Sequence, residues 1–266
     1  MNGDPMKIRL RLNDKPALVC GSSAGIGLEC ARSLADLGAS VTLCARSETD
    51  LDTALASLSG SGHSRIVADF DEPDQLSEVV RSHVDQVGPF GILVNNSGGP
   101  PGGPILDADS DEFLTAIGRH VVCNHRLVQL LVPGMKELGY GRIVNIISTS
   151  VREPIQNLGV SNTTRGAVAS WAKTLSKELG PHGITVNSVL PGFTDTARLG
   201  QLIQKRAAAQ GTTPEQVASD WLDTIPLGRF ASADEIGTVV AFLCSPAASY
   251  ISGVCLPVDG GRLSGI

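Results

Sequence analysis

Aromatic residues are scarce: two tyrosines, two tryptophans and six phenylalanines make up 4% of 266 residues. Any reaction that needs a phenol therefore has two places to find one, Tyr140 and Tyr250. No two cysteines are spaced Cys-x-x-Cys. The six (Cys20, Cys30, Cys44, Cys123, Cys244, Cys255) lie far apart, which excludes a zinc ribbon and disfavours a disulfide frame. They are expected to be reduced, mostly buried thiols, and no metal site is expected. No apolar run reaches membrane-spanning length, and residues 1–15 are too charged for a signal-peptide core. Positive charge is in deficit, with 21 Lys and Arg against 27 Asp and Glu. A net charge of -6 disfavours nucleic acid and anionic membrane as partners. The default compartment is the cytoplasm. What remains is an ordinary globular balance, 42% hydrophobic and 18% charged, of a length that suits one α/β domain over residues 1–266.

Short apolar runs alternate with helical patterns. Strands are expected at 16–20, 40–44, 65–68, 91–95, 142–147, 184–189 and 253–258. Helices are expected at 26–37, 48–58, 74–86, 160–179 and 234–243, with one long bent element over 110–138. This order implies right-handed crossovers and a doubly wound parallel sheet. Two segments break the rhythm after strand ends, where open α/β sheets bind ligands. One is the Gly/Pro loop Gly98–Pro104. The other is a helical insertion over 197–223, read as a lid, with an apolar face of Leu199, Leu202, Ile203, Val217, Trp221 and Leu222.

Between the first strand and first helix stands Cys20-Gly21-Ser22-Ser23-Ala24-Gly25-Ile26-Gly27. Glycine serves there for a tight turn, close approach of backbone to a pyrophosphate, and helix-on-strand packing, and the helix N-terminus supplies free N–H groups. The spacing resembles the T-G-x-x-x-G-I-G of short-chain dehydrogenases/reductases. The resemblance continues in Asn95-Asn96-Ser97-Gly98, Ser148 after the fifth strand, Pro191-Gly192-Phe193-Thr194-Asp195-Thr196, and the ending Val258-Asp259-Gly260-Gly261. The closest flavour is that of divergent β-ketoacyl carrier-protein reductases. The resemblance implies a Rossmann fold binding a nicotinamide dinucleotide through Gly21, Ser23, Gly25, Ile26, Gly27, Asp69, Asn95, Ser97, Gly98, Pro191, Gly192, Thr194 and Thr196. After the second strand, NAD-preferring members usually carry an aspartate. Here Arg46 and Ser47 follow Ala45, a pairing suited to a 2′-phosphate, so NADP(H) is expected over NAD(H).

The family's catalytic tyrosine and lysine are missing. Thirteen residues past Ser148 the chain offers Ser161, and four further on Arg165, where Tyr-x-x-x-Lys is expected. Counting back from Gly141 without gaps places His120 in the family's asparagine position. A shift of four residues would put Asn124 there instead. An aliphatic hydroxyl is a far weaker acid than a phenol, so Ser161 is expected to hydrogen-bond rather than to give a proton. Arg165 is expected to hold the ribose. His120, which ordinarily titrates near neutrality, and Glu153, expected to face the pocket beside Arg152 unless salt-bridged, are the candidate proton carriers. Tyr140 falls at the wrong end of the sheet; Tyr250 and His125 are expected to be structural.

Three functions compete. The leading one is an NADP(H)-dependent oxidoreductase acting on a carbonyl or alcohol of a small molecule. The others are a non-redox lyase or isomerase on the same fold, and an inactive nucleotide-binding partner subunit. Family members usually assemble through their long helices, so a homotetramer or homodimer is expected, with Ala167, Ala169 and Ala172 suited to close packing.

Overall fold

The computed structural model describes residues 9–13 and 15–265. The expectation about the charged N-terminal segment falls largely outside them. Seven strands form one parallel sheet: β1 Ala17–Cys20, β2 Val41–Ala45, β3 Ser64–Val67, β4 Ile92–Asn95, β5 Gly141–Ile146, β6 Ile184–Pro191 and β7 Cys255–Val258. Their order is β3-β2-β1-β4-β5-β6-β7. The direction of winding reverses between β1 and β4, which opens a crevice at the carboxyl ends of those strands.

Both faces of the sheet are covered, so the strands are apolar throughout rather than alternating. Successive residues of β1 point to opposite cores. Ala17 and Val19 join Leu34, Val41, Leu43, Ile236 and Val240 on one face, under helices α1 (Gly25–Asp36) and α9 (Ala233–Cys244). Leu18 and Cys20 join Leu76, Val80, Leu127, Leu131 and Val186 on the other, under α3 (Pro73–Val87), α5 (Cys123–Glu137) and α6 (Gly159–Leu179). Helix α1 lies so close to α9 that a Cβ on Gly237 would stand 2.5 Å from the Glu29 carbonyl oxygen. The remaining helices are α2 (Glu48–Ala56), α4 (Ser110–Ile117) and the pair α7 (Ala197–Gln210) and α8 (Pro214–Leu222). That pair is the expected insertion; of its apolar face, Leu199 and Val217 are buried, while Leu202 and Trp221 line the cleft.

The long element over 110–138 is continuous but changes its hydrogen-bond pattern midway. Between α4 and α5, Gly118–Val122 makes a π-helical turn in which the Cys123 N–H reaches back five residues to the Gly118 carbonyl. Such single turns admit one extra residue and re-aim side chains at functional sites. Here the re-aimed side chain is His120, which is 2% exposed.

Candidate active site

A cleft of about 1000 Å³ opens at the carboxyl ends of β1, β4, β5 and β6. Its floor is the Gly21–Gly27 turn. Gly21 and Gly25 both adopt φ of 57°, which side chains rarely tolerate. A Cβ on Gly21 would stand 2.7 Å from Asn96, and one on Gly27 2.1 Å from the Gly21 carbonyl oxygen. Asn96 braces the turn, its Nδ2 donating to the Gly21 carbonyl at 3.1 Å. Ala24 precedes α1 without a side-chain cap, and no acidic residue occupies the first turn. The free N–H groups of Gly25 and Ile26 thus meet the cleft with nothing to repel an anion. This cradle fits the pyrophosphate of a dinucleotide.

The other expected site residues divide. Ser97, Gly98, Ser148, Ser161, Arg165, Pro191, Gly192, Thr194 and Thr196 all line the same cleft. Ser148 Oγ also accepts from the Ser150 N–H at 3.0 Å, which fixes its rotamer. Arg46, Ser47 and Asp69 lie outside the cleft, where β2 and β3 end. Arg46 is 71% exposed and only loosely held, 3.8 Å from Asp69. Ser47 caps α2, accepting from the Asp50 N–H. Ser23 does not line the cleft, and Gly27 acts through packing beneath it. Asn95 is a correction. It is buried, and its Nδ2 donates to Asn145 Oδ1 at 2.9 Å. Asn145 in turn donates to the Asn187 carbonyl, so these asparagines tie β4, β5 and β6 together instead of reaching a ligand.

His120 lies beside the cleft rather than on its lining. Its Nδ1 lies 2.7 Å from Ser97 Oγ, whereas its Nε2 is buried without a partner. Burial first, and then the positive charges of Arg165 and Arg119, hold it down to about 2. Both influences favour the neutral imidazole, whose hydrogen-bond partner is Ser97. Two departures from the family pattern, serine after the paired asparagines and histidine in the long helix, thus meet in one hydrogen bond. Asn124 is also buried. Glu153 is a second correction. It does not line the cleft and pairs with neither Arg152 nor Arg165; its Oε1 accepts from the Ser264 N–H at 2.8 Å. Tyr250, expected to be structural, is fully exposed at 103%. His125 does pack, edge-on to Trp171.

Arg165 is the charged group that stays. Its Nη1 donates to the Ile146 carbonyl at 2.9 Å, and no carboxylate pairs with it among the described residues. Burial, helped by Arg198, lowers it to about 10, which leaves it cationic at neutral pH. The walls hold residues that sequence reasoning passed over. Phe193 stacks on Trp221 at 4.5 Å, and the Arg262 guanidinium lies over Phe193 at 4.7 Å. Arg198 Nη2 donates to the Pro100 carbonyl. Gly103 N–H donates to the carbonyl of Asn157, whose φ of 61° is left-handed, and this fixes the glycine/proline loop against the start of α6.

This geometry has counterparts. A family described as enoyl-(acyl carrier protein) reductase matches residues 21–262. The chain belongs to the short-chain dehydrogenase/reductase family. It is 32% identical to a 3-oxoacyl-[acyl-carrier-protein] reductase of Pseudomonas aeruginosa, over 95% of this chain and 98% of that one. L-sorbose reductase from Gluconobacter frateurii, solved with NADPH and L-sorbose, superposes with a TM-score of 0.91 at 31% identity, over 97% of this chain and all of that one. An actinorhodin polyketide ketoreductase variant solved with NADPH gives 0.89 at 30% identity, over 94% and 98%. The protein is accordingly an enzyme of the NAD(P)-dependent oxidoreductase type, and its cofactor is a nicotinamide dinucleotide. No helix of the described residues is long and apolar enough to cross a membrane, and no cluster of metal-ligating side chains occurs among them.

Proposed function

We propose that this short-chain reductase is NADP(H)-dependent, reduces a carbonyl of a small molecule or oxidises the matching alcohol, and works by electrostatic stabilisation in place of proton donation by a side chain. The observation that carries this reading is Arg165, a cation held without a carboxylate in the same cleft as Ser148 and Ser161. A bound nicotinamide supplies or receives the hydride. Arg165 offers positive charge where the substrate oxygen gains negative charge. Ser148 and Ser161 present hydroxyl donors to that oxygen. Ser97, held by neutral His120, is a third hydroxyl on the same wall. None of these side chains titrates near neutrality, so water delivers the final proton to the alkoxide, a base strong enough to take it.

Preference for NADP(H) rests on Arg46, exposed at the end of β2 and tied only weakly to Asp69. Glu48, which would repel a 2′-phosphate, is turned toward Arg65 at 2.8 Å. The two structural relatives named above were solved with NADPH. Arg46→Ala is expected to raise the KM for NADPH about tenfold while leaving that for NADH unchanged, since a charge-assisted phosphate contact is worth roughly 1.5–3 kcal/mol. Equal effects on both cofactors would remove Arg46 from the assignment. The function as a whole is tested by following NADPH absorbance with a panel of ketones and keto acids. Oxidation of NADPH with at least one is expected. NADPH binding without any oxidation would sink the redox reading and revive lyase chemistry or a non-catalytic subunit.

A further inference from the structure

The cleft is more positive than its cofactor requires. Arg165, Arg198, Lys205, Arg206 and Arg262 all line it, and no aspartate or glutamate does, in a chain whose net charge is -6. None of the five forms a salt bridge among the described residues, whereas Arg32, Arg65, Arg119, Arg126 and Arg229 elsewhere each do. Three of the five sit on α7 at positions 198, 205 and 206, a spacing that places them on one helical face with Leu202 and Ala209, and that whole stripe meets the cleft. Arg198 reaches across to Arg165. A point 3.7 Å from Arg165 Nη2 lies 3.8 Å from Arg198 Nη2, directly above Gly99. Like charges that flank one point repel each other, and each guanidinium depends on a carbonyl rather than on a carboxylate for its hydrogen bond. On the opposite wall Arg262 lies on Phe193, with its Nε buried and unpartnered. A dinucleotide pyrophosphate carries two negative charges and seats on the glycine turn; the extra phosphate of NADP(H) falls to Arg46, outside this cleft. A surplus of positive charge remains, and it faces the space left for substrate.

We infer that the substrate is an oxyanion-bearing carbonyl compound, a keto acid or a phosphorylated ketone, whose anionic group is bound by Arg198 and Arg206 of α7 together with Arg262. The inference rests on the reductase reading for the position of the cofactor. It names a specificity device in the insertion between β6 and α9, distinct from the serines that face the reacting carbonyl. Arg198 is exposed and Arg206 half-exposed on α7, and neither is in a salt bridge, so variants there should fold.

The test measures binding and turnover separately. Calorimetry on protein saturated with NADP⁺ compares 2- and 3-oxo acids of increasing chain length with their methyl esters. A second arm compares dihydroxyacetone phosphate with dihydroxyacetone. At least one anion is expected to bind tenfold or more tightly than its neutral partner, and the arm in which this happens identifies carboxylate or phosphoryl. In Arg198→Gln, Arg206→Gln and Arg262→Gln that ratio should fall at least fivefold, with NADPH affinity followed in parallel by its fluorescence. Equal binding of acid and ester in every pair, or a ratio that survives all three variants, overturns the inference. Tight anion binding without NADPH oxidation would leave the anion site standing and remove the reductase reading, so the two fail separately.

Discussion

Two arginines, one at each end of the sheet, differ in what they face: Arg142 is buried and Arg165 half-buried. Arg142, at the amino end of β5, donates to the carbonyls of Gly141 and Gly183, and its guanidinium lies 4.3 Å from the centre of the Tyr140 ring. Lys15 covers the other contact at 4.7 Å, and the Tyr140 hydroxyl is spent on the Cys244 carbonyl. Burial pushes that phenol up to about 12. Arg165, past the carboxyl end of the same strand, has one carbonyl, a second guanidinium and an open cleft. A phenol that might have done chemistry is thus locked into structure at the far end, and the cleft end is furnished with serines and cations. Arg142 is closed in by carbonyls and an aromatic ring, with its Nε left unpartnered, whereas Arg165 faces open space that a ligand can enter.

The largest effect that would break this contrast is on Arg165. Arg165→Met should lower kcat about 10²–10³-fold, the usual loss on removing one oxyanion donor. Its Tm should stay level or rise, because a desolvated cation is replaced by an apolar chain. A large fall in Tm with kcat intact would make Arg165 a second Arg142. The converse variant, Arg142→Met, should destabilise by about 1–3 kcal/mol in urea unfolding, since it orphans two carbonyls, and should leave kcat within about twofold. Loss of activity without loss of stability would erase the distinction between the two ends.

His120 gives a smaller and sharper test. Its folded value of about 2 lies below the ordinary 6.5, so below 6.5 the unfolded chain binds a proton that the folded chain does not. Stability is therefore complete above that value and is lost as pH falls through it, at roughly 1.4 kcal/mol per pH unit. His120→Asn should shed about 2 kcal/mol of the stability difference between pH 7 and pH 5, measured by urea unfolding at both. An unchanged difference would mean that the imidazole is hydrated and able to titrate.

Much of the architecture could be read from the residues. All seven strands fall within a few positions of their apolar runs, because a parallel sheet covered on both faces needs continuous hydrophobic segments. The glycine turn and its place at the first crossover were equally plain. The site was legible only where local spacing determines it. Ser148, Ser161 and Arg165 do share a cleft. The burial of His120 was not legible, because helical periodicity does not reveal a π turn. Asn95 was expected at the cofactor, but as the last residue of β4 its side chain is buried, while Asn96 just past the strand meets the cleft. Glu153 and Arg262 depend on the C-terminal segment folding back, more than a hundred residues away in the first case, and no local pattern records that. The cations at 198, 205 and 206 were visible as a stripe, yet their meaning required knowing which face of α7 meets the cleft.

The most direct test of an electrostatic site without a side-chain acid is the pH dependence of kcat for NADPH oxidation, with substrate and cofactor saturating. His120 lies near 2 and Arg165 near 10. The profile should be level from about pH 6 to about 9 and decline only as Arg165 loses its proton. An inflection between about pH 6 and 8, abolished by His120→Asn, would contradict the account and return the histidine to the proton-carrying role.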